Sequence, residues 1–162
     1  DEVQDPQGLN MPDKNLSRDP ERTPMQWDRS EYAGFSTVKP WLPVSSTSKR
    51  VNVEVQTSDP YSQLKLYKRL IELRQREPSL TVGDYVPVYS DHQAIAYIRQ
   101  APGATRFLIV LNLSHRPCYL KLQRLQIKGK VVLATATELE GMEITEMIQL
   151  GGDDGIIVVL AS

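Results

Sequence analysis

Twelve residues near the start of the chain, Ser17-Arg18-Asp19-Pro20-Glu21-Arg22-Thr23-Pro24-Met25-Gln26-Trp27-Asp28, restrict its fold more than any other stretch. They hold two arginines, three carboxylates, two prolines and a tryptophan, with neither a helical nor a strand period. Such a segment cannot bury a core of its own. It is also too rich in large, stiff side chains for a solvated linker. The combination reads as an ordered loop that carries polar groups to a site.

The flanking sequence divides into three regions. Residues 1 to about 58 are rich in Pro, Asp and Ser, with turn punctuation at Asp5-Pro6, Asp19-Pro20, Lys39-Pro40 and Leu42-Pro43. A loop of that length is foreign to an isolated compact domain and fits an excursion packed on something larger. A helix over residues 59–77 comes next. Ser58-Asp59-Pro60 supplies its cap and first-turn proline, and Leu64, Tyr67, Leu70 and Ile71 form its apolar stripe. Glu77-Pro78 ends it. From Ser79 onward the period becomes two. Strands are expected near Val86–Tyr89, Ala94–Arg99, Phe107–Asn112, Cys118–Leu122, Lys130–Ala134, Met147–Leu150 and Ile156–Leu160. Short strands at regular spacing, separated by turn signals, argue for an antiparallel β-sandwich. Gly151-Gly152-Asp153-Asp154-Gly155 precedes a β-like run rather than a helix, so it reads as a hairpin turn and not a phosphate loop.

Composition closes off several functions. A net charge of −1 gives no reason to expect nucleic acid or an anionic membrane surface as partner. The longest apolar runs, Phe107 to Leu111 and Ile156 to Ala161, are too short to span a bilayer. The single cysteine, Cys118, excludes an internal disulfide and reads as an inert, partly buried thiol. His92 and His115 stand alone in turns without ligand-spaced partners, so no metal site is expected.

The words Arg22-Thr23-Pro24-Met25-Gln26-Trp27-Asp28, Ala33-Gly34-Phe35-Ser36 and Trp41-Leu42-Pro43-Val44, supported by Val51-Asn52-Val53-Glu54-Val55-Gln56, resemble the α-glucosidases of glycoside hydrolase family 13. Insect maltases and sucrases are the most similar in wording. The resemblance is strong over residues 17–44 and weak beyond residue 80. It implies a mixed fold: the end of a (β/α)8 barrel over residues 1–78, comprising the eighth βα loop and the last helix, then an antiparallel β-domain over residues 79–162. The loop, helix and strands read from the residues alone fall in that same order.

The resemblance also implies an activity, retaining exo-hydrolysis of terminal α-linked glucose from maltose- or sucrose-like sugars. A whole barrel needs roughly 250 residues. The family's catalytic nucleophile, acid/base and stabilising Asp sit on earlier strands, so no catalytic residue is expected in this chain. Retaining chemistry needs two carboxyls about 5–5.5 Å apart. The local pairs Glu138/Glu140 and Asp153/Asp154 lie in turn-like, wet contexts and read as surface charge. What the family resemblance assigns here is Arg22, as the arginine lining the pocket for the non-reducing glucose, with Asp19 in support. An arginine suits the role because its rigid fork can engage a carboxylate and a sugar oxygen together. The plainer alternative is that Arg22 pairs with Asp19 or Asp28 to hold the loop. Trp27, Phe35 and Trp41 read as packing residues rather than sugar platforms.

The heavy chains of amino-acid transporters share this architecture and the words around Trp27, so a non-catalytic scaffold or surface receptor is the competing reading. An independent sugar-binding β-module is a third, disfavoured because the first 58 residues hold no core and the helix stripe would lie bare. The intact Arg-Thr before Pro24 favours an enzyme. Asn15-Leu16-Ser17 and Asn112-Leu113-Ser114 are sequons, making Asn15 and Asn112 glycosylation candidates in a secretory protein. The expected setting is extracellular or at the outer cell surface. The expected partners are the N-terminal barrel portion, as a separate or cleaved chain, and an oligosaccharide; membrane association of the full protein is compatible with this reading. No cofactor is expected in this chain, with calcium a candidate only elsewhere in the full enzyme.

Overall fold

The structure is a computed structural model that describes residues 3–14, 16–121, 127–145 and 147–161. It forms two compact units, residues 1–65 and 66–162. The first was expected to be loop, but short helices punctuate it. They are α1 (Pro6–Asn10), single 3-10 turns at Pro12–Lys14 and Asp19–Arg22, and α2 (Val53–Ser58). Pro6 and Pro20 each stand in a first turn, where a missing N–H costs nothing. Proline thus starts these turns as well as breaking the chain.

The expected helix over 59–77 begins later than expected, and a separate short helix, α2, precedes it in the stretch expected to be loop. Asn52 caps α2, its Oδ1 accepting the Val55 N–H at 2.9 Å and its Nδ2 donating to the Ser48 carbonyl at 2.7 Å. The next helix, α3, spans Gln63–Arg76. Asp59-Pro60 is the break between the two helices rather than the cap of one. The Asp59 carboxylate accepts the Tyr61 N–H at 2.9 Å, which closes a turn. Ser62 Oγ then accepts the Lys65 N–H at 3.3 Å, and the Gln56 side chain accepts the Leu64 N–H at 3.0 Å. A serine two residues beyond the proline therefore begins α3. A short helix α4 (Pro78–Thr81) follows the break at Glu77-Pro78.

Among the described residues the second unit holds eight strands: β1 (Asp84–Ser90), β2 (Ala94–Gln100), β3 (Phe107–Asn112), β4 (Cys118–Lys121), β5 (Gly129–Ala134), β6 (Glu143–Ile144), β7 (Met147–Leu150) and β8 (Gly155–Leu160). Seven lie where period two placed them. The two-residue β6 is too short to show a period. All pairings are antiparallel. Six strands form one sheet in the order β1-β2-β3-β8-β5-β6, and β4 pairs with β7 in a second. Residues 151–155 therefore carry the chain from one sheet to the other, not around a hairpin. Pro87 is accommodated because β1 is an edge strand and its register shifts between Pro87 and Tyr89.

Strand β3 explains the layering. Leu108 and Val110 face one core, together with Cys118 and Leu120 of β4 and Ile148 and Leu150 of β7. Phe107 and Ile109 face a second core with Leu133, Leu80 and Leu73, against which Leu66 and Leu70 of α3 also pack. A strand covered on both faces has no polar side, which is why Phe107–Leu111 is an unbroken apolar run. Burial raises the Cys118 thiol above its ordinary range, so it stays protonated and unreactive. Arg69 of α3 pairs with Glu140 at 2.6 Å beside the 3-10 turn Thr137–Leu139. At Gly129 a side chain would collide with the Val159 carbonyl, so only glycine lets β5 approach β8.

Asn112 ends β3 and is only 3% exposed. Its Nδ2 donates to the Arg116 carbonyl at 2.7 Å and to the Gly151 carbonyl at 2.6 Å. Its Oδ1 accepts from the Ser114 N–H at 3.0 Å and Oγ–H at 2.9 Å. One amide thus ties the β3–β4 turn to the crossover at Gly151. Asn112→Ala strands these buried groups and should lower unfolding free energy by roughly 2–4 kcal/mol in urea titrations.

Asp91 closes the β1–β2 hairpin. Its carboxylate accepts from the Tyr89 hydroxyl and from the Gln93 and Ala94 N–H groups, each at 2.7 Å. These donors, the tyrosine foremost, lower its pKa to about 2. A lowered carboxylate stabilises the fold above its unfolded pKa, and the contribution is lost as pH falls through about 2. NMR titration should find Asp91 charged down to that pH, and Tyr89→Phe should move its midpoint upward.

Candidate substrate-pocket loop

The segment singled out by sequence is held by two carboxylates that exchange partners. Asp5, immediately before α1, is 0% exposed. Its carboxylate accepts the Arg18 N–H at 2.9 Å and the Arg18 guanidinium through Nε at 3.3 Å and Nη2 at 2.8 Å. In return Asp19 Oδ2 accepts the N–H groups of Gln4 at 2.7 Å and Asp5 at 2.9 Å. Two stretches of loop thirteen to fifteen residues apart are thereby clasped by five backbone or side-chain donors. The guanidinium bond holds the Asp5 carboxyl well below the usual carboxylate range and raises Arg18. Burial alone would raise Asp19, but the Gln4 and Asp5 N–H groups and Arg22 outweigh it, and its net shift is downward.

Arg22 ends the 3-10 turn. Its Nη2 donates to Asp19 Oδ1 at 2.6 Å, and its Cζ lies 5.6 Å from the Trp41 ring centroid. The cation is thus held at one edge by a carboxylate and over one face by an indole. The Arg22 side chain keeps 42% of its surface exposed, against 12% for Asp19. The remaining guanidinium donors are free to meet another group. A sequence-adjacent partner, Asp28, is engaged elsewhere: Oδ1 accepts the Ser30 N–H at 2.8 Å and Oγ–H at 2.5 Å.

The words downstream serve this loop. Tyr32, Ala33 and Gly34 run through left-handed backbone, with φ of 49°, 54° and 66°. That bend turns the Ala33 carbonyl back to accept the Trp27 N–H at 2.8 Å and the Asp28 N–H at 3.2 Å. Gly34 is required, since a Cβ there would lie 2.5 Å from the Asp28 carboxylate at positive φ. The carbonyls of Gln26 and Trp27 accept the Val53 and Glu54 N–H groups, each at 3.0 Å, filling donors that the first turn of α2 leaves open. Trp27, Phe35 and Trp41, expected to pack, leave half or more of their surface exposed in this chain.

Asp5 and Arg18 escaped the sequence reading, which took Asp5-Pro6 only as turn punctuation. The available signal was a carboxylate ahead of a proline matched by an Arg-Asp pair ahead of another. Glu140 is spent on Arg69 and the Ala134 N–H, Asp153 on His115 at 2.9 Å, and Asp154 on Thr135 and Gly151. Neither acidic pair is thus poised as a reacting couple. Asp153 raises the exposed His115. Asn15 lies outside the described residues. Asn112 spends its Nδ2 on two carbonyls, so a glycan there would displace one of them. Among the described residues, no three His, Cys, Asp or Glu side chains gather as a metal site, and no helix is long and apolar enough to cross a membrane.

Residues 1–83 match the family profile "Alpha amylase, catalytic domain", and the chain belongs to the alpha-amylase family. It is 35% identical, over 90% of its own length, to 26% of a glucan 1,6-alpha-glucosidase of Streptococcus pneumoniae. It is 35% identical, over 86% of its length, to 25% of a maltase of Drosophila melanogaster. An amino acid transporter heavy chain of Rattus norvegicus is 34% identical over 85% of this chain and 21% of that protein. Among solved structures, an isomaltulose synthase of Klebsiella superposes with a TM-score of 0.82 at 29% identity, over 90% of this chain and 26% of that one. The chain therefore spans about a quarter of the length of the enzymes it matches.

Proposed function

We propose that this chain is the C-terminal part of a retaining, exo-acting α-glucosidase, and that it contributes Arg22 to the pocket for the terminal glucose. The observation that carries the reading is the hold on Arg22: a carboxylate and an indole fix one edge and one face of a guanidinium that keeps open donors. Terminal sugar hydroxyls are the natural acceptors for such donors. A guanidinium closing one end of a cleft selects short sugars cut from their ends. The nucleophile and the acid/base belong to the larger part of the protein, where two carboxyls about 5–5.5 Å apart perform the double displacement. Membership in the alpha-amylase family and the glucosidase and maltase relatives support this assignment.

The same proposal gives residues 1–78 to the end of a (β/α)8 barrel and residues 79–162 to a C-terminal β-sandwich. Its remaining elements are a secreted or outer-surface setting, glycosylation at sequons, maltose or sucrose as substrates, and the N-terminal barrel portion as structural partner. The second reading is a non-catalytic scaffold, favoured by the 34% identity to a transporter heavy chain. Hydrolysis separates the two. In the full-length protein, Arg22→Ala should reduce kcat/KM on maltose or sucrose by on the order of a hundredfold, through lost positioning. Unchanged turnover removes Arg22 from the pocket, and a full-length protein that hydrolyses no α-glucoside favours the scaffold.

A further inference from the structure

We infer that Asp5 is a positioning residue for Arg22, acting through Asp19. The inference rests on the reading of Arg22 as a sugar-binding residue. Asp19 has two carboxylate oxygens and divides them between two tasks. Oδ2 is taken by the Gln4 and Asp5 N–H groups, which leaves Oδ1 for Arg22 Nη2. The rotation of the Asp19 carboxylate, and with it the direction of the guanidinium, is set by the backbone at residues 4 and 5. That backbone is in turn fixed by the Asp5 side chain, which grips the N–H and the guanidinium of Arg18. Arg18 is the residue that leads into the 3-10 turn carrying Asp19 and Arg22.

The chain of contacts has a consequence for energetics. Asp5 has no exposed surface; Arg18 supplies three of its donors, and the Gln7 N–H inside α1 adds to its stabilisation. A buried carboxylate tied to Arg18 on one side and to the start of α1 on the other resists a shift of the turn relative to α1. The placement of Arg22 thus depends on the Asp5–Arg18 clasp through Asp19. The side chain of Asp5 also lies one bond network away from the sugar-facing donors and touches none of them, so its effect must pass through the arginine. Trp41 limits the guanidinium on the remaining side, which leaves Asp19 as the only adjustable anchor among the described contacts of Arg22.

The test is a double-mutant cycle in the full-length protein with Asp5→Asn and Arg22→Ala, read on maltose. Asparagine keeps the shape and one acceptor but loses the charge that holds the Arg18 fork. Asp5→Asn alone should lower kcat/KM at least tenfold, and the double variant should be no worse than Arg22→Ala, because the two act through one group. Full additivity, or an unchanged single variant, overturns the inference. If the asparagine variant does not accumulate, Arg18→Lys, which keeps the charge beside Asp5 but loses the guanidinium fork, carries the same cycle. A crystal structure of the variant gives a readout that needs no activity. Arg22 displaced from Asp19 supports the inference, and Arg22 still seated on Asp19 Oδ1 refutes it. A wild-type protein without hydrolysis would instead refute the enzymatic reading and leave the displacement result to judge the clasp.

Discussion

The charge of Asp5 is the constraint from which the first unit is built. A carboxylate without exposed surface needs hydrogen-bond donors, and here most of them belong to one residue, Arg18. Satisfying it fixes the loop between residues 5 and 18 and delivers Asp19 to the Gln4 and Asp5 N–H groups. The loop has little apolar core to define its path, so the buried charge pair supplies register where hydrophobic packing does not. The specific value of such a pair lies in the geometry it imposes more than in net stability.

The second unit follows a different logic. It is organised by β3, buried on both faces between the β4–β7 pair and the helices α3 and α4. Non-directional burial suffices there, and polar residues appear where the chain changes sheet. Asn112 is the main instance, one amide serving a turn and a crossover together.

Strands were legible because alternation and unbroken apolar runs report the faces a strand buries, and Phe107–Asn112 fell where its residues placed it. The helix start was misread because Ser58-Asp59-Pro60 carries the signals of a cap, while the competing cap at Ser62 depends on Gln56 reaching Leu64 from the preceding helix. The crossover at residues 151–155 looked like a hairpin because a glycine-rich turn does not encode which strand will pair next. In the candidate site, the wording of the segment singled out Arg22 and Asp19, and their mutual pairing, given as the plainer alternative, is what the structure contains. Asp5 was illegible because its role depends on partners thirteen and fourteen residues away in a stretch without period. Sequence spacing reports regular elements well and the closure of irregular loops poorly.

The same asymmetry explains why the words around Trp27 identify the family while saying less about each side chain's task. Gln26 and Trp27 give their carbonyls to α2, and Gly34 makes room for Asp28, so much of that wording serves to hold the loop. Arg22 differs in keeping donors unspent. The most direct measurement of its task is a crystal structure of the full-length protein with glucose bound. The account predicts a glucose hydroxyl within about 2.7–3.2 Å of the Arg22 guanidinium, with Asp19 Oδ1 still holding its other edge. Glucose bound beyond reach of Arg22, or Arg22 turned to open solvent beside an occupied pocket, would contradict it.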